Sequence, residues 1–179
     1  MMERADISQR VRRRSRRPAT RRQPEVVILS QTRAESYIPS GDEVCISVTD
    51  PGKLPARLSD RFAAILRLCF TDITEPTGLE SDVLFTDDHA REIVTFVRGW
   101  READRIVVHC RAGLSRSPGI AIGLCELFGW SSVADLEKEH AMCNRFVRRE
   151  LVRAGRDAVL ELALGPPRVA KRGSKLPAK

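Results

Sequence analysis

Apolar residues along this chain fall into short runs rich in β-branched residues, separated by longer stretches with helical spacing. Three short runs predict buried strands: Glu25–Ser30 (EVVILS), Glu43–Asp50 (EVCISVTD) and Arg105–Cys110 (RIVVHC). The run Ala63–Phe70 (AAILRLCF) fits either a strand or the end of a short helix. Because the strands alternate with helices, the pattern predicts an α/β fold with a largely parallel sheet.

The helical stretches have recognisable beginnings and faces. Thr86 is predicted to cap a helix, because two acidic residues follow it and apolar residues then recur on one helical face. Residues 120–128 are apolar on nearly all sides, which predicts a central helix. A short helix is expected to follow Ser131 or Ser132 and to run to His140. The last predicted helix has apolar residues at spacings of four, three and four: Val147, Leu151, Ala154 and Ala158.

Positive charge is concentrated at the two ends of the chain. The net charge of the 179 residues is +7, but residues 25–164 are net acidic at −5. Residues 1–24 contain nine arginines and two acids, and residues 165–179 contain five basic residues and no acid. Both ends lack the apolar spacing that orders a chain. We therefore expect a folded domain over 25–164 between a basic disordered N-terminal arm and a basic flexible C-terminal tail. These ends either keep the chain soluble or bind an anionic partner, such as nucleic acid or an acidic surface.

The cysteines and the hydropathy of the chain indicate its surroundings. The chain has five cysteines, an odd number, without CxxC spacing or neighbouring histidine clusters. This argues against a disulfide framework and a structural zinc site, and it favours the reducing cytoplasm. No apolar run reaches the ~18 residues of a membrane span, so we expect no transmembrane segment.

The stretch VVHCRAGLSRSPGI places a cysteine between a buried strand and a buried helix. The strand ends at Cys110, at the carboxyl edge of the sheet, where open α/β folds bind ligands. Gly113 permits a tight loop, and a helix is predicted to begin near Arg116. Backbone N–H groups of such a loop and the guanidinium of Arg116 suit a phosphate above a nucleophilic thiol. Cys143 and Arg149 repeat the C-x5-R spacing, but without a glycine or a preceding strand, and we interpret that copy as a chance match.

The segment HCRAGLSRS, from His109 to Ser117, resembles the HCxxGxxR[S/T] signature of the cysteine-dependent protein tyrosine phosphatases. It is most similar to the dual-specificity branch, and the similarity extends loosely over residues 25–164, including FTDI near Asp72 and also Asn144. The resemblance implies a dual-specificity-phosphatase-like fold, with a central sheet of about four to five strands and helices on both faces.

The resemblance also implies a role for each residue of the loop. Cys110 would attack phosphorus and form a phosphocysteine, and Ser117 would assist release of the thiolate. His109 would orient the loop and help to lower the pKa of the cysteine. No metal and no other cofactor is needed, because the loop itself supplies positive potential. The phosphate oxygens would be bound by the loop residues Arg111, Ala112, Gly113, Leu114, Ser115 and Arg116.

The general acid of this family is an aspartate on a loop upstream of the cysteine. The acidic loop after Phe70 offers Asp72 and Asp82, while Asp87 and Asp88 are expected to belong to a helix start. We favour Asp72, because it follows a hydrophobic run and begins the loop.

These features together favour a phosphomonoester hydrolase acting on phosphotyrosine, phosphoserine or phosphothreonine in proteins. One alternative is a phosphatase of RNA 5′ ends or phosphoinositides that is guided by the basic ends. Another alternative is a module that binds phosphorylated partners without turnover, although Cys110, Arg116 and Ser117 are all present.

Overall fold

The computed structural model of the chain describes residues 23–130 and 133–164, with side chains up to residue 160. The segments 1–22 and 165–179, which make up nearly all of the two predicted basic ends, lie outside the described residues. So do Ser131 and Ser132, the two candidate helix caps. Within the described part of the chain, no helix is long and apolar enough to cross a membrane.

A parallel sheet of four strands organises the described residues, in the order β1-β4-β2-β3. Its strands are β1 (Glu25–Ser30), β2 (Glu43–Thr49), β3 (Ala64–Cys69) and β4 (Arg105–Cys110). The predicted parallel α/β fold is therefore confirmed, and the ambiguous run Ala63–Phe70 is a strand. Because all four strands run in the same direction, the residues that follow them meet at one edge of the sheet.

Five helices accompany the sheet in the described residues. They are α1 (Gln31–Glu35), α2 (Asp87–Gly99), α3 (Arg116–Phe128), α4 (Val133–Glu139) and α5 (Arg145–Leu164). Thr86 caps α2 as predicted: its hydroxyl accepts from the His89 N–H, and the His89 ring accepts from the Thr86 N–H. The sequence pattern does not reveal α1, because this short helix buries only Ala34.

The two faces of the sheet are covered differently. On one face, α2, α3 and α5 pack against alternate residues of the strands, including Ile106, Val108 and Cys110 of β4. On the other face, Ala34 of α1 and Phe62 cover a smaller apolar cluster that includes Val107. The side chain of Cys110 therefore lies on the face of the three long helices, at the carboxyl end of the central strand β4.

Candidate active site

The loop from Cys110 to Arg116 is fixed by a close approach to strand β1. Gly113 has φ of 74°. A Cβ atom at this position would lie 2.7 Å from the Ser30 nitrogen and 2.9 Å from the Leu29 carbonyl carbon, closer than real contacts allow. The Gln31 N–H also donates to the Arg111 carbonyl at 3.2 Å. The loop therefore needs glycine for both its conformation and its packing.

Cys110 lies at the base of this loop, with only 2% of its surface exposed. The Gly113 N–H donates to its sulfur at 3.3 Å, and the Ser117 hydroxyl lies 3.1 Å from the sulfur. Ser117 belongs to the first turn of α3 and is fully buried. The structure thus brings together the predicted nucleophile and the serine predicted to assist its release.

Arg116 is buried in the first turn of α3 and is held from one side. Its Nη1 donates to the Phe70 carbonyl at 2.7 Å and pairs with the Asp50 carboxylate at 2.9 Å. The guanidinium carbon also lies 6.0 Å from the centre of the Phe70 ring. By contrast, Nε is buried and has no hydrogen-bond partner. A buried donor without a hydrogen-bond partner is costly, so Nε is a donor that could bind an oxygen atom brought into the loop.

Asp72 lies beside Arg116 and is held by two neutral donors. The Ser115 hydroxyl and the Asn144 side-chain amide both donate to Asp72 Oδ1 at 2.8 Å. The other carboxylate oxygen, Oδ2, is 3.9 Å from Arg116 Nε. Asn144 also accepts from the Val147 N–H at the start of α5. The acidic loop, the loop from Cys110 to Arg116 and α5 are therefore joined at this carboxylate.

The other three candidate acids make contacts away from this cluster. Asp82 accepts a hydrogen bond from Thr77 within the acidic loop. Asp87 pairs with an arginine of α5, and Asp88 lies 3.6 Å from Arg91 on the surface of α2. Among the four aspartates considered from the sequence, Asp72 is the one that contacts Ser115 and approaches Arg116.

His109 does not share the surroundings of Cys110. It precedes Cys110 in β4, so its side chain points to the opposite face of the sheet. Both ring nitrogens are buried without a hydrogen-bond partner in the described structure. Burial lowers the pKa of His109 to about 4, and the neighbouring Cys110 backbone offsets that shift only in part. The ring is therefore neutral at pH 7, and no side-chain hydrogen bond supports its predicted role in orienting the loop.

The second C-x5-R copy forms no comparable site. Cys143 is half-buried before α5, whereas Arg149 is exposed on that helix. Arg149 pairs with Glu150 and stacks over the Phe146 ring. In the described structure the two residues do not lie on one loop and do not line a common pocket, as expected for a chance match.

Two contributors to the site were not assigned from the sequence. The sequence pattern places Asp50 only at the end of the predicted strand Glu43–Asp50, although a carboxylate at the carboxyl edge of the sheet was a usable signal. The carbonyl of Phe70 gave no signal, because any residue type carries that group. Asn144 was noted as part of the family resemblance, but its contact with Asp72 depends on how α5 packs.

The described residues have the fold of the cysteine-dependent tyrosine and dual-specificity phosphatases. The chain is similar to Tk-PTP in its active form, with a TM-score of 0.51 and 15% identity over 74% of this chain and 92% of that chain. It is also similar to human DUSP28, with a TM-score of 0.49 and 13% identity over 76% of this chain and 94% of that chain. P. aeruginosa TpbA gives a TM-score of 0.46 and 12% identity over 77% of this chain and 88% of that chain. No protein-family model and no curated protein matches the sequence. The likeness to Tk-PTP confirms the predicted fold.

Proposed function

We propose that this chain is a phosphomonoester hydrolase that acts through a phosphocysteine, with phosphorylated proteins as its substrates. The observation that carries the proposal is the pairing of Cys110 with Arg116 at one buried loop. The sulfur lies at the base of the loop, and the guanidinium is held by Nη1 while its buried Nε has no hydrogen-bond partner. This arrangement suits a phosphate better than a neutral ligand.

In the first step, the Cys110 thiolate attacks phosphorus, so that an S–P bond forms and the P–O bond to the leaving group breaks. The Gly113 N–H and the Ser117 hydroxyl stabilise the sulfur before attack. Asp72 gives its proton to the leaving oxygen, which departs as an alcohol or phenol. The hydrogen bonds from Ser115 and Asn144 hold this carboxyl group next to the loop.

Arg116 stabilises the charge on the transferring phosphoryl group. Its Nε and Nη2 form the free side of the planar guanidinium, which can bind two phosphate oxygens at once. Asp50 and the Phe70 carbonyl fix the other side, so little reorganisation is needed when the ligand binds.

In the second step, water attacks the phosphocysteine and the S–P bond breaks. Asp72, now ionised, accepts a proton from that water. The Ser117 hydroxyl, 3.1 Å from the sulfur, donates a hydrogen bond to the departing thiolate. Phosphate then leaves, and the sequence of steps requires no metal or cofactor.

Steady-state hydrolysis by the full chain tests this proposal. The panel contains peptides with phosphotyrosine or phosphothreonine, a phosphoinositide and RNA with a 5′-triphosphate. We expect turnover of the peptides, and Cys110→Ser should lower kcat about a thousandfold or more while phosphate still binds. Arg116→Lys should lower kcat about a hundredfold or more, because lysine lacks the planar fork. Cys143→Ser is the matched control and should retain its kinetics. Loss of activity in Cys143→Ser but not in Cys110→Ser would place the site elsewhere.

A further inference from the structure

A cavity of about 380 Å³ lies at the amino edge of the sheet, away from Cys110. We call it the end cavity. It is lined by residues that precede β1 and β4, by the last turns of α2 and α3 and by α5. The described lining residues are Gln23, Pro24, Val97, Arg98, Arg101, Phe128, Trp130 and Val159. The six residues of β4, at about 3.3 Å each, put roughly 20 Å between the end cavity and Cys110, so the end cavity takes no part in the proposed reaction.

Two aromatic side chains form one wall of the end cavity. The rings of Phe128 and Trp130 are stacked, with 5.1 Å between their centres and 20° between their planes. Both rings pack against the larger apolar cluster, and the Trp130 backbone N–H donates to the Cys125 carbonyl at 2.9 Å, which fixes Trp130 at the end of α3. Trp130 is half-buried, so part of its ring is open to a ligand. A planar aromatic group can extend this stack.

Two arginines add positive charge to the end cavity. Arg98 donates from Nη1 to the Val159 carbonyl at 2.9 Å, and neither Arg98 nor Arg101 makes an ion pair with a described residue. The described lining residues include no acid. The arginine groove along α5 differs, because Arg148 and Arg153 each pair with two carboxylates. The end cavity therefore combines a stacking surface with two cations, which suits a planar ring beside a phosphate.

Both basic ends of the chain join the described residues near the end cavity. Residues 1–22, with nine arginines and two acids, directly precede the lining residue Gln23. The five basic residues of 165–179 follow α5, which ends five residues beyond the lining residue Val159, or about 8 Å along the helix. Like charges repel, so a cavity with two arginines is an unfavourable place for either basic segment. A polyanion that crosses the end cavity can instead contact all three positive regions.

We propose that the end cavity is a docking site for single-stranded nucleic acid. One base stacks on Trp130, the phosphates beside it bind Arg98 and Arg101, and the basic ends bind phosphates further along the strand. A single strand fits better than a duplex, because its bases are free to enter a cavity. It also fits better than an anionic membrane, because lipid headgroups offer phosphate without a planar ring. This inference goes beyond the proposed hydrolase activity and does not depend on it.

Binding of two short oligomers to the full chain tests the inference. One is an oligouridylate, and the other is an abasic oligomer with the same number of phosphates. Both end in hydroxyl groups, so neither offers a phosphomonoester to the proposed active site. We expect the oligouridylate to bind about tenfold more tightly at the same salt concentration, because stacking of a base on an aromatic ring adds to the attraction of the phosphates.

Tryptophan fluorescence then locates the base. The chain has two tryptophans, and Trp100 is not one of the lining residues. Trp100→Phe leaves Trp130 as the single tryptophan, and the oligouridylate should quench its emission whereas the abasic oligomer should not. Trp130→Phe leaves Trp100 as the emitter and should show little quenching. Because phenylalanine keeps an aromatic ring in the end cavity, this variant should still bind nearly as tightly as the wild type.

Two further variants separate stacking from charge. Trp130→Leu should raise Kd for the oligouridylate about tenfold and leave Kd for the abasic oligomer unchanged, because leucine is apolar but cannot stack. Trp100→Leu is its matched control. Arg101→Gln, at an exposed position, should raise Kd about threefold for both oligomers and weaken the salt dependence of binding. Its matched control is Arg91→Gln, because Arg91 lies on the surface of α2 and is paired with Asp88. Both controls should keep the wild-type Kd.

Several results would overturn the docking site. One is an equal Kd for the two oligomers, and another is a Kd for the oligouridylate that Trp130→Leu and Arg101→Gln leave unchanged. Binding to vesicles that contain an anionic lipid, without binding to the oligouridylate, would assign the basic ends to a membrane instead. Loss of oligouridylate binding in Arg116→Lys would place the oligomer at Cys110. If Trp130→Leu does not fold, the quenching in Trp100→Phe and the Kd of Arg101→Gln still decide the question.

Discussion

At the scale of single residues, the contacts of Arg116 suit the phosphate site that we propose. The guanidinium is 3% exposed and is held at Nη1 by one carboxylate and one carbonyl. A buried cation of this kind would be destabilising without Asp50, because its desolvation needs compensation. Asp50 therefore has a positioning role: it holds Nη1 of Arg116 and leaves Nε without a hydrogen-bond partner.

The proposed proton donor, Asp72, can be tested by its effect on leaving groups of different quality. A general acid matters in proportion to how poor the leaving group is. Asp72→Asn should therefore lower kcat about a hundredfold or more on phosphothreonine or phosphotyrosine peptides. An activated aryl phosphate should be slowed much less, since its leaving group departs without a proton. The measurement is kcat for both substrate types.

Two aspartates of the same region provide controls for Asp72. Asp82 accepts a hydrogen bond from Thr77, and Asp87 is paired with Arg153. Asp82→Asn and Asp87→Asn should change kcat little on either substrate. A defect in Asp82→Asn that is selective for poor leaving groups, with Asp72→Asn near wild type, would contradict this assignment and make Asp82 the general acid.

At the scale of elements, the β4–α3 loop depends on one glycine. Gly113 and Gly52 both have positive φ, at 74° and 71°, but only at Gly113 would a Cβ meet neighbouring atoms. Gly52→Ala should lower the free energy of unfolding by about 1–2 kcal/mol through backbone strain. Gly113→Ala should lower it by about 1–3 kcal/mol more, because the added methyl group collides with β1.

Urea unfolding and kcat on a small aryl phosphate together check the glycine prediction. Gly113→Ala should also lose most of its turnover, since the Gly113 N–H contacts the Cys110 sulfur. Gly52→Ala should keep its turnover. Equal losses of stability and equal kcat in the two variants would contradict the account of the loop.

Most of the strands and long helices follow from local signals in the sequence. The β-branched runs of β1 and β4 and the Thr86 cap coincide with the elements as the structure has them. The loop from Cys110 to Arg116 is equally local, because a strand, a glycine and a helix start are adjacent in the chain. The partners of Arg116 could not be predicted in the same way. Asp50 and Phe70 follow separate strands, and only the sheet order brings them to the Arg116 side chain.

The role of His109 illustrates a second limit of the sequence. The family resemblance implies that His109 orients the loop and helps to lower the pKa of Cys110. The two-residue period of a strand instead puts neighbouring side chains on opposite faces. Burial then lowers the pKa of His109 to about 4, so the ring carries no charge at neutral pH. Sequence adjacency in a strand is therefore a poor guide to contact.

At the scale of the whole molecule, the positive charge and the candidate active site lie in different segments of the chain. The residues that form the site lie within 25–164, a segment with net charge −5, while the flanking segments are strongly basic. We propose that the basic ends bind an anionic partner and contribute nothing to the reaction. A protein trimmed to residues 25–164 should therefore keep its kcat on a small aryl phosphate.

Binding to an anionic polymer measures the other half of that proposal. The full chain should bind heparin or RNA with an affinity that falls steeply with salt, and the trimmed protein should bind weakly. Both proteins are measured at the same ionic strength, so that a difference in affinity reports the contribution of the basic ends. Loss of aryl phosphate turnover on trimming would show that the domain extends beyond 25–164.

The central claim is that the phosphoryl group passes through the sulfur of Cys110. Ser117→Ala removes the hydroxyl that lies 3.1 Å from that sulfur, so it should slow breakdown of the intermediate more than its formation. The most direct measurement is mass spectrometry of this variant, quenched in acid during turnover of an aryl phosphate. We predict one added phosphoryl group, located on the peptide that contains Cys110. Turnover with no such adduct, or with the phosphoryl group on another residue such as Cys143, would contradict the account.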